Sequence, residues 1–182
     1  MNAPILAEVP LAHSAAATIR RAAPRARASL RLRGDLAPFE AALGLTLSGR
    51  LGSRADAGPR EGLRLGPDEW MLHTTPDDLA TVTSALAPLY ADHPHSLVDV
   101  SGREVTVVIE GPRAAELLTI GCARDIDAIP DGAARRTVFD GAAVILWRDS
   151  ATRFRIDVWN SFAPHLLDLL VIGTRELAAE TS

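Results

Sequence analysis

Two imidazoles and a carboxylate stand together in the segment Asp92-His93-Pro94-His95, the stretch of this sequence that most resembles a metal motif. A four-coordinate zinc site needs a further ligand, and no third ligand has a recognisable spacing. Pro94 constrains the segment, which precedes an apolar run beginning at Leu97. We therefore interpret it as a solvated turn before a strand, and we predict no metal ligand on this chain.

Asp99 is the second candidate, because it interrupts the apolar run Leu97-Val98-Asp99-Val100. A carboxylate in such a run costs free energy unless it is hydrogen-bonded or faces outward. Ser101 and Arg103 are near enough in sequence to bond with it. We interpret Asp99 as a structural carboxylate that receives hydrogen bonds in a turn, with a catalytic carboxylate as the alternative.

Cys122 and His165 complete the candidates for a nucleophile and a base. Cys122 follows the end of a predicted helix, whereas reactive thiolates favour helix N-termini, so we interpret it as a small buried hydrophobe. His165 falls in the first turn of the last predicted helix, where a packing or surface role is expected. The sequence contains no Lys, which excludes Schiff-base chemistry, a lysine base and a P-loop lysine. We predict no catalytic and no cofactor-binding residue on this chain.

The elements that must position these residues centre on the stretch from Ser96 to Cys122. Its two β-branched runs, on either side of Ser101-Gly102-Arg103-Glu104, predict a central pair of strands or one bulged strand. Gly111-Pro112 predicts the start of a helix, since proline suits the first helical position. Gly121 is the expected C-cap of that helix.

The rest of the chain predicts short antiparallel strands and a few helices. Ala28–Arg33 alternates as a half-buried strand, Thr75-Pro76 starts a helix, and Asp140-Gly141 joins two strands as a hairpin. Ser48–Gly62 is glycine-rich without periodicity and is expected to be a loop. Antiparallel sheets with helices packed on one side indicate an α+β fold rather than a parallel nucleotide-binding sheet.

The last predicted strand and helix carry a candidate interface residue. Phe154, Ile156 and Val158 alternate toward the core, so Trp159 takes the outward phase. An outward Trp is costly on a monomer and common in an interface. Ser161 is expected to cap the last helix, whose inward side chains are Phe162, Leu166, Leu169 and Leu170.

Composition limits the classes of function. The chain has 182 residues, enough for one domain or two small packed subdomains. A formal net charge of −4 is too mild to indicate a nucleic acid or an anionic membrane as partner. The single Cys excludes a disulfide framework and fits a reducing, cytoplasmic location. The apolar run from Leu166 to Ile172 contains Asp168 and is far too short to span a bilayer.

The N-terminal region differs from the rest in its charge. The stretch from Arg20 to Arg33 holds six Arg and no acidic residue. We interpret residues 1–27 as an Arg-rich arm, extended and either solvated or lying on an acidic partner. Residues 28–178 are then predicted to form the α+β domain, as one body or as two packed subdomains.

A series of motifs runs in order through the chain, and the most specific is Leu65-Gly66-Pro67-Asp68-Glu69-Trp70. The shorter ones are Arg31-Leu32-Arg33-Gly34-Asp35, Ala42-Leu43-Gly44-Leu45, Val98-Asp99-Val100-Ser101, Gly111-Pro112-Arg113-Ala114, Gly121-Cys122 with Asp125, Arg136-Thr137 and Ser161-Phe162-Ala163. With its order and spacing, the series resembles the gamma subunit family of heterotetrameric sarcosine oxidases. That family is similar in turn to the folate-binding aminomethyltransferase fold, of which this chain would be a half-size relative.

The resemblance implies a non-catalytic gamma subunit of an oxidoreductase complex, with alpha, beta and delta subunits as partners. The complex would oxidise sarcosine to glycine, pass the one-carbon unit to tetrahydrofolate or release formaldehyde, and yield hydrogen peroxide. Its cofactors NAD, FAD, FMN, tetrahydrofolate and zinc would lie on other subunits, with none on this chain. The alternative is a stand-alone folate-binding, aminomethyltransferase-like protein that uses Asp99, and a third interpretation is an adaptor domain without an enzyme partner.

Overall fold

The structure, a computed structural model, describes residues 10–180. Within that range the strands are Pro10–His13 (β1), Thr18–Arg21 (β2), Ala26–Leu32 (β3), Arg54–Ala57 (β4), Arg60–Gly66 (β5), Glu69–Thr74 (β6), His95–Asp99 (β7), Glu104–Glu110 (β8), Ala133–Phe139 (β9), Ala142–Ser150 (β10) and Arg153–Trp159 (β11). The helices are Ala37–Leu43 (α1), Pro76–Leu86 (α2), Ala114–Leu118 (α3) and Ala163–Ala179 (α4), with a 3-10 helix over Ala87–Ala91.

The strands form two antiparallel sheets. The six-stranded sheet has the order β1-β2-β8-β11-β10-β9, and the five-stranded sheet has the order β4-β5-β6-β3-β7. Arg25–Ser101 forms one compact unit that contains the five-stranded sheet, and the described residues before and after it form the other unit. The antiparallel sheets and the few helices confirm the predicted α+β class.

In the Arg25–Ser101 unit, α1 and α2 pack on one face of the sheet. Their apolar side chains meet those of β3 and β6 in one core, which includes Leu30, Phe39, Trp70, Leu72 and Val82. The other face of these strands carries the alternate residues, as the two-residue period of a strand requires. The predicted arrangement of helices on one side of a sheet is therefore confirmed in this unit.

The start and the end of α2 follow their sequence signals. The Thr75 hydroxyl accepts a hydrogen bond from the Asp78 N–H, and Pro76 is the first helical residue. The helix ends at Leu86, and Pro88 lies in the 3-10 helix that follows. The predicted start is confirmed, because its determinants lie within a few residues of each other.

In the other unit, α3 and α4 pack on one face of the six-stranded sheet. The core there is made by strand and helix side chains such as Val107, Leu146, Ile156, Leu117 and Leu166. The β9–β10 hairpin turns at Asp140 and Gly141, with φ angles of 43° and 82°. Two successive positive φ angles are the signature of the predicted two-residue turn.

The predicted arm over residues 1–27 is wrong where the structure describes it, and residues 1–9 lie outside the described range. Strands β1 and β2 pair with each other, and β2 pairs with β8. Ala16, Ala17 and Ile19 are buried in the core of their unit. Arg20 bonds to Glu110, 90 residues away, at 3.2 Å. Short strands whose partners are so distant in sequence leave no local signal.

The predicted central strand pair is also wrong. Strand β7 is an edge strand beside β3, whereas β8 lies between β2 and β11 in the other sheet. The four-residue connection therefore does not close a hairpin. The helix after it begins at Ala114 and ends at Leu118, with Thr119 rather than Gly121 as C-cap. Gly121 instead lets the backbone pass close to the Phe139 ring, because a Cβ there would lie 2.7 Å from a ring atom.

Two further expectations are corrected. The predicted loop over Ser48–Gly62 contains β4 and the start of β5, which pair as a hairpin. No Ser161 side-chain cap is present on α4, and Phe162 occupies the N-cap position. Phe162 is 45% exposed, not inward, while Leu166 and Leu170 are buried as predicted.

None of the helices between residues 10 and 180 is long and apolar enough to cross a membrane.

Candidate functional site

Asp99 lies at the exposed end of β7, where Ser101 holds its carboxylate. Asp99 Oδ1 accepts hydrogen bonds from the Ser101 hydroxyl at 2.5 Å and the Ser101 N–H at 2.8 Å. These bonds stabilise the ionised form and lower the pKa of Asp99 below its ordinary value. The predicted hydrogen bonds from Ser101 to Asp99 are confirmed, whereas Arg103 binds Glu104 rather than Asp99.

His93 and His95 are half-buried rather than solvated, because both rings pack against Phe39. Their ring centroids lie 6.0 Å and 5.0 Å from that of Phe39, in edge-on geometry. His95 Nδ1 lies 2.8 Å from the carbonyl oxygen of His93. The segment is a turn before β7, as predicted, but its imidazoles serve the packing of α1. Among residues 10–180 no group of three or more His, Cys, Asp or Glu is placed to hold a metal ion.

Cys122 is buried and His165 lies at the surface, as the sequence predicted. Cys122 is a free, buried thiol in the apolar core. His165 is an exposed residue in the first turn of α4, and its Nε2 lies 2.6 Å from Asp140 Oδ2. The imidazole thus ties α4 to the β9–β10 turn.

Asp157 is a buried carboxylate that the sequence analysis missed. It is 1% exposed in the middle of β11. Its Oδ1 accepts a hydrogen bond from the Thr106 hydroxyl, and its Oδ2 accepts one from the Trp147 indole N–H at 2.6 Å. The Arg155 guanidinium lies 4.6 Å from the centroid of the Trp147 ring. The partners come from β8 and β10, so only the strand register brings them together.

Arginine side chains bind the main carboxylates of the Arg25–Ser101 unit. Glu61 is 2% exposed and accepts bonds from Arg25 at 2.9 Å and from Arg54 at 2.7 Å. Asp78 receives two parallel bonds of 2.8 Å from Arg60. Both carboxylates are therefore paired with arginines inside the unit. The interpretation of residues 1–27 as an arm did not anticipate the pair that Arg25 makes with Glu61.

Trp159 differs from the other two tryptophans in its exposure. Trp70 and Trp147 are buried, and their indole N–H groups donate to the Leu47 carbonyl oxygen and to Asp157. Trp159, by contrast, is 48% exposed at the end of β11, which confirms its predicted outward phase. The candidate residues described above are hydrogen-bonded or packed within the chain, and the exposed surface around Trp159 is taken as the candidate functional site.

Comparison with known proteins gives one consistent set of relatives. The sarcosine oxidase subunit gamma of Corynebacterium sp. strain U-96 is 31% identical over 148 residues, covering 79% of this chain and 70% of the relative. The protein of the same name from Corynebacterium sp. strain P-1 is 30% identical over 152 residues, covering 81% and 73%. No protein-family model matches the chain.

Solved structures agree with these relatives. A chain of the heterotetrameric sarcosine oxidase from Corynebacterium sp. U-96, in complex with pyrrole 2-carboxylate, superposes with a TM-score of 0.81 at 29% identity, covering 93% of this chain and 89% of that one. The aminomethyltransferase T of the glycine cleavage system from Bartonella henselae gives 0.64 at 14% identity, covering 87% of this chain and 46% of that one. The second match shows a shared fold in which this chain spans about half of the larger protein.

Proposed function

The chain belongs to the sarcosine oxidase gamma subunit family, and from that premise we propose that it is a non-catalytic subunit of a heterotetrameric sarcosine oxidase-type complex. The observation that carries the proposal is the agreement of sequence and fold along nearly the whole chain. The relatives cover 79% and 81% of it, and the solved complex covers 93% at a TM-score of 0.81. The partners in this proposal are the alpha, beta and delta subunits.

The proposed complex oxidises sarcosine to glycine, passes the one-carbon unit to tetrahydrofolate or releases formaldehyde, and forms hydrogen peroxide. We place FAD, FMN, NAD, tetrahydrofolate and zinc on the other subunits. This placement is supported by three donor groups that the chain uses internally: Asp157 and Glu61 are hydrogen-bonded within it, and Cys122 is buried. A cytoplasmic location suits the single free thiol.

Because the cofactors carry the hard chemistry of such an enzyme, a subunit that only supplies surface needs no reactive group. The geometry of Asp99 supports this assignment. The hydrogen bonds from Ser101 lower the pKa of Asp99 and so favour its ionised form, which does not suit the role of a proton donor near neutral pH. The alternative, a stand-alone folate-binding protein that uses Asp99, has the shared fold as its support.

Co-expression of the tagged chain with the alpha, beta and delta subunits tests the proposal. We expect all four chains to co-purify, and the eluate to show flavin absorption and sarcosine-dependent peroxide formation. The chain purified alone should show neither. Flavin, metal or turnover on the isolated chain, or its failure to join the other subunits, would overturn the assignment.

Calorimetry with tetrahydrofolate on the isolated chain separates the alternative function from the proposed one. The subunit assignment predicts no heat of binding beyond dilution for either the wild type or Asp99→Asn. Tight binding that Asp99→Asn abolishes would establish the folate-binding alternative.

A further inference from the structure

An apolar row crosses three neighbouring strands on the face of the six-stranded sheet that points away from α3 and α4. Val138 in β9 pairs with Ala143 in β10. The β10–β11 register, which pairs Val144 with Val158, makes Ala143 and Trp159 the next neighbours. All three are exposed, Val138 by 52% and Trp159 by 48%. We call Val138, Ala143 and Trp159 the apolar row.

The row is displayed on a rigid support. The alternate residues of the same strands, Phe139, Val144 and Val158, are buried in the core under the helices. Cross-strand neighbours on one sheet face lie close enough to form a continuous surface. A β-branched residue and an indole fixed by a sheet lose little conformational entropy when a partner covers them, which favours them as anchors.

A cation lies at one end of the row. Glu104 is opposite Trp159 in the β8–β11 register and accepts bonds from Arg103 Nε and Nη2 at 3.1 Å and 2.9 Å. These bonds hold the guanidinium 5.7 Å from the centroid of the Trp159 ring. Arg136, an exposed residue on the same strand face as Val138, places a second arginine near the other end of the row.

We propose that the apolar row and Arg103 form the docking surface for a neighbouring subunit of the complex, one that presents an apolar side chain beside a carboxylate. This proposal rests on the proposed function and adds where on the chain the partner binds and with what chemistry. The apolar side chain covers Val138 and Trp159, and the carboxylate accepts a hydrogen bond from Arg103 Nη1. An arginine already fixed by Glu104 is prepared for such a bond.

The charge of the surface selects this partner over a second copy of the chain. In a two-fold contact the same patch lies on both sides of the interface, so the facing patch would offer the guanidinium of Arg103 apolar side chains and arginine and no exposed carboxylate. The whole chain carries a formal net charge of −4, whereas this patch is rimmed by arginine. A rim of this kind is complementary to an acidic, heterologous surface.

The test is co-purification of the full-length chain with the alpha, beta and delta subunits, with the affinity tag on beta. Val138→Asp and Val138→Arg place opposite charges at the same exposed site. Ile172→Asp, on α4, is the matched control, since Ile172 is 50% exposed and Val138 is 52% exposed. Trp159→Ala and Trp159→Phe compare removal of the anchor with its conservative replacement. Circular dichroism and thermal melting of each variant verify that it is folded.

We expect Val138→Asp and Trp159→Ala to lower recovery of the chain by at least about tenfold, a typical loss for an interface anchor. Val138→Arg should lose less than Val138→Asp, because the partner is acidic, and Ile172→Asp and Trp159→Phe should be recovered nearly as well as the wild type. Equal recovery of Val138→Asp and the wild type would overturn the surface and leave the proposed function intact. So would equal losses for Val138→Asp and Ile172→Asp, or for Val138→Asp and Val138→Arg.

A wild-type chain that is not recovered with beta would overturn the proposed function, and the surface with it. A purified chain that is dimeric, and that Val138→Asp converts to a monomer, would overturn the choice of a heterologous occupant.

Discussion

The two oxygens of the Asp157 carboxylate are bound by separate donors, the Thr106 hydroxyl and the Trp147 indole N–H. We expect Trp147→Phe to lower the free energy of unfolding by about 1–3 kcal/mol, because it removes the donor to a buried carboxyl oxygen. Trp159→Phe is the matched control, the same change at an exposed site. Urea unfolding of both variants measures the difference. Equal effects of the two substitutions would show that the indole bond to Asp157 adds nothing.

The Asp78–Arg60 pair gives stability a defined dependence on pH. The two hydrogen bonds from Arg60, aided by one from Thr74, lower the pKa of Asp78 from 3.8 to about 2. Since the pKa is lower in the folded state, the stabilisation is complete above about pH 4 and is lost as the pH falls toward 2. We expect the wild type to lose about 1–2 kcal/mol more than Asp78→Asn over that window, after allowance for partial exposure of the pair.

Unfolding free energies of the two proteins between pH 2 and pH 6 check this expectation. The control is Asp77→Asn, which changes the exposed neighbouring carboxylate in the same first turn of α2. Parallel stability curves for the wild type and Asp78→Asn would contradict the role given to Arg60.

At the residue scale, the sequence predicted what is decided locally. The Thr75 cap and the bonds from Ser101 to Asp99 involve groups within three residues of each other, so pattern and chemistry sufficed. The bonds of Glu61 and Asp157 join residues that lie 7 to 51 positions apart. Such partners depend on which strands pair, and that information is not in any short segment.

Gly111 joins the N-terminal hairpin to the junction between β8 and α3. Its φ is +152°, and a Cβ there would lie 2.6 Å from the Ala16 carbonyl oxygen and 2.7 Å from Ala17 Cα. The Arg113 N–H donates to the same Ala16 oxygen at 3.0 Å. Since backbone atoms cannot yield as a flexible side chain does, we expect Gly111→Ala to destabilise the protein by about 2–4 kcal/mol.

Urea unfolding gives the size of this effect, and trypsin reports its location through cleavage after Arg21 in β2. Gly102→Ala is the control, because a Cβ at Gly102 meets nothing within 4 Å. Equal stability of the two variants, or no faster cleavage in Gly111→Ala, would contradict the proposed close approach.

At the element scale, predictions succeeded where the turn itself carries the signal. Asp140-Gly141 specifies a hairpin because both residues tolerate a positive φ. The turn from Ser101 to Glu104 also resembles a hairpin turn, yet β7 and β8 belong to different sheets. The same β-branched pattern suits either pairing, so long-range register decided it. The pattern of short antiparallel strands and helices, by contrast, anticipated the α+β class, and the family resemblance anticipated the half-size relation to the aminomethyltransferase fold.

At the scale of the whole molecule, the proposed docking of the apolar row on another subunit should stabilise the chain. A partner that binds only the folded chain lowers the unfolded fraction in proportion to its concentration over Kd. At a hundredfold excess over Kd the stabilisation is about 2.7 kcal/mol, a roughly hundredfold smaller unfolded fraction. The isolated subunit should therefore be far more sensitive to any probe of unfolding than the assembled one.

Trypsin is such a probe, because it cleaves after Lys and Arg and the folded chain restrains many of its Arg side chains. All 19 basic residues are Arg, and those described in ion pairs, such as Arg60 and Arg113, are held in place by the folded chain. When opening is fast relative to cleavage, the digestion rate follows the unfolded population. We expect digestion of the chain to slow by roughly hundredfold in an excess of its partners, and to recover when the complex is diluted below Kd. An equal digestion rate with and without the other subunits would mean that assembly leaves the folding equilibrium of this chain unchanged. That result would contradict the expectation, because partners that bind only the folded chain must shift this equilibrium toward the folded state.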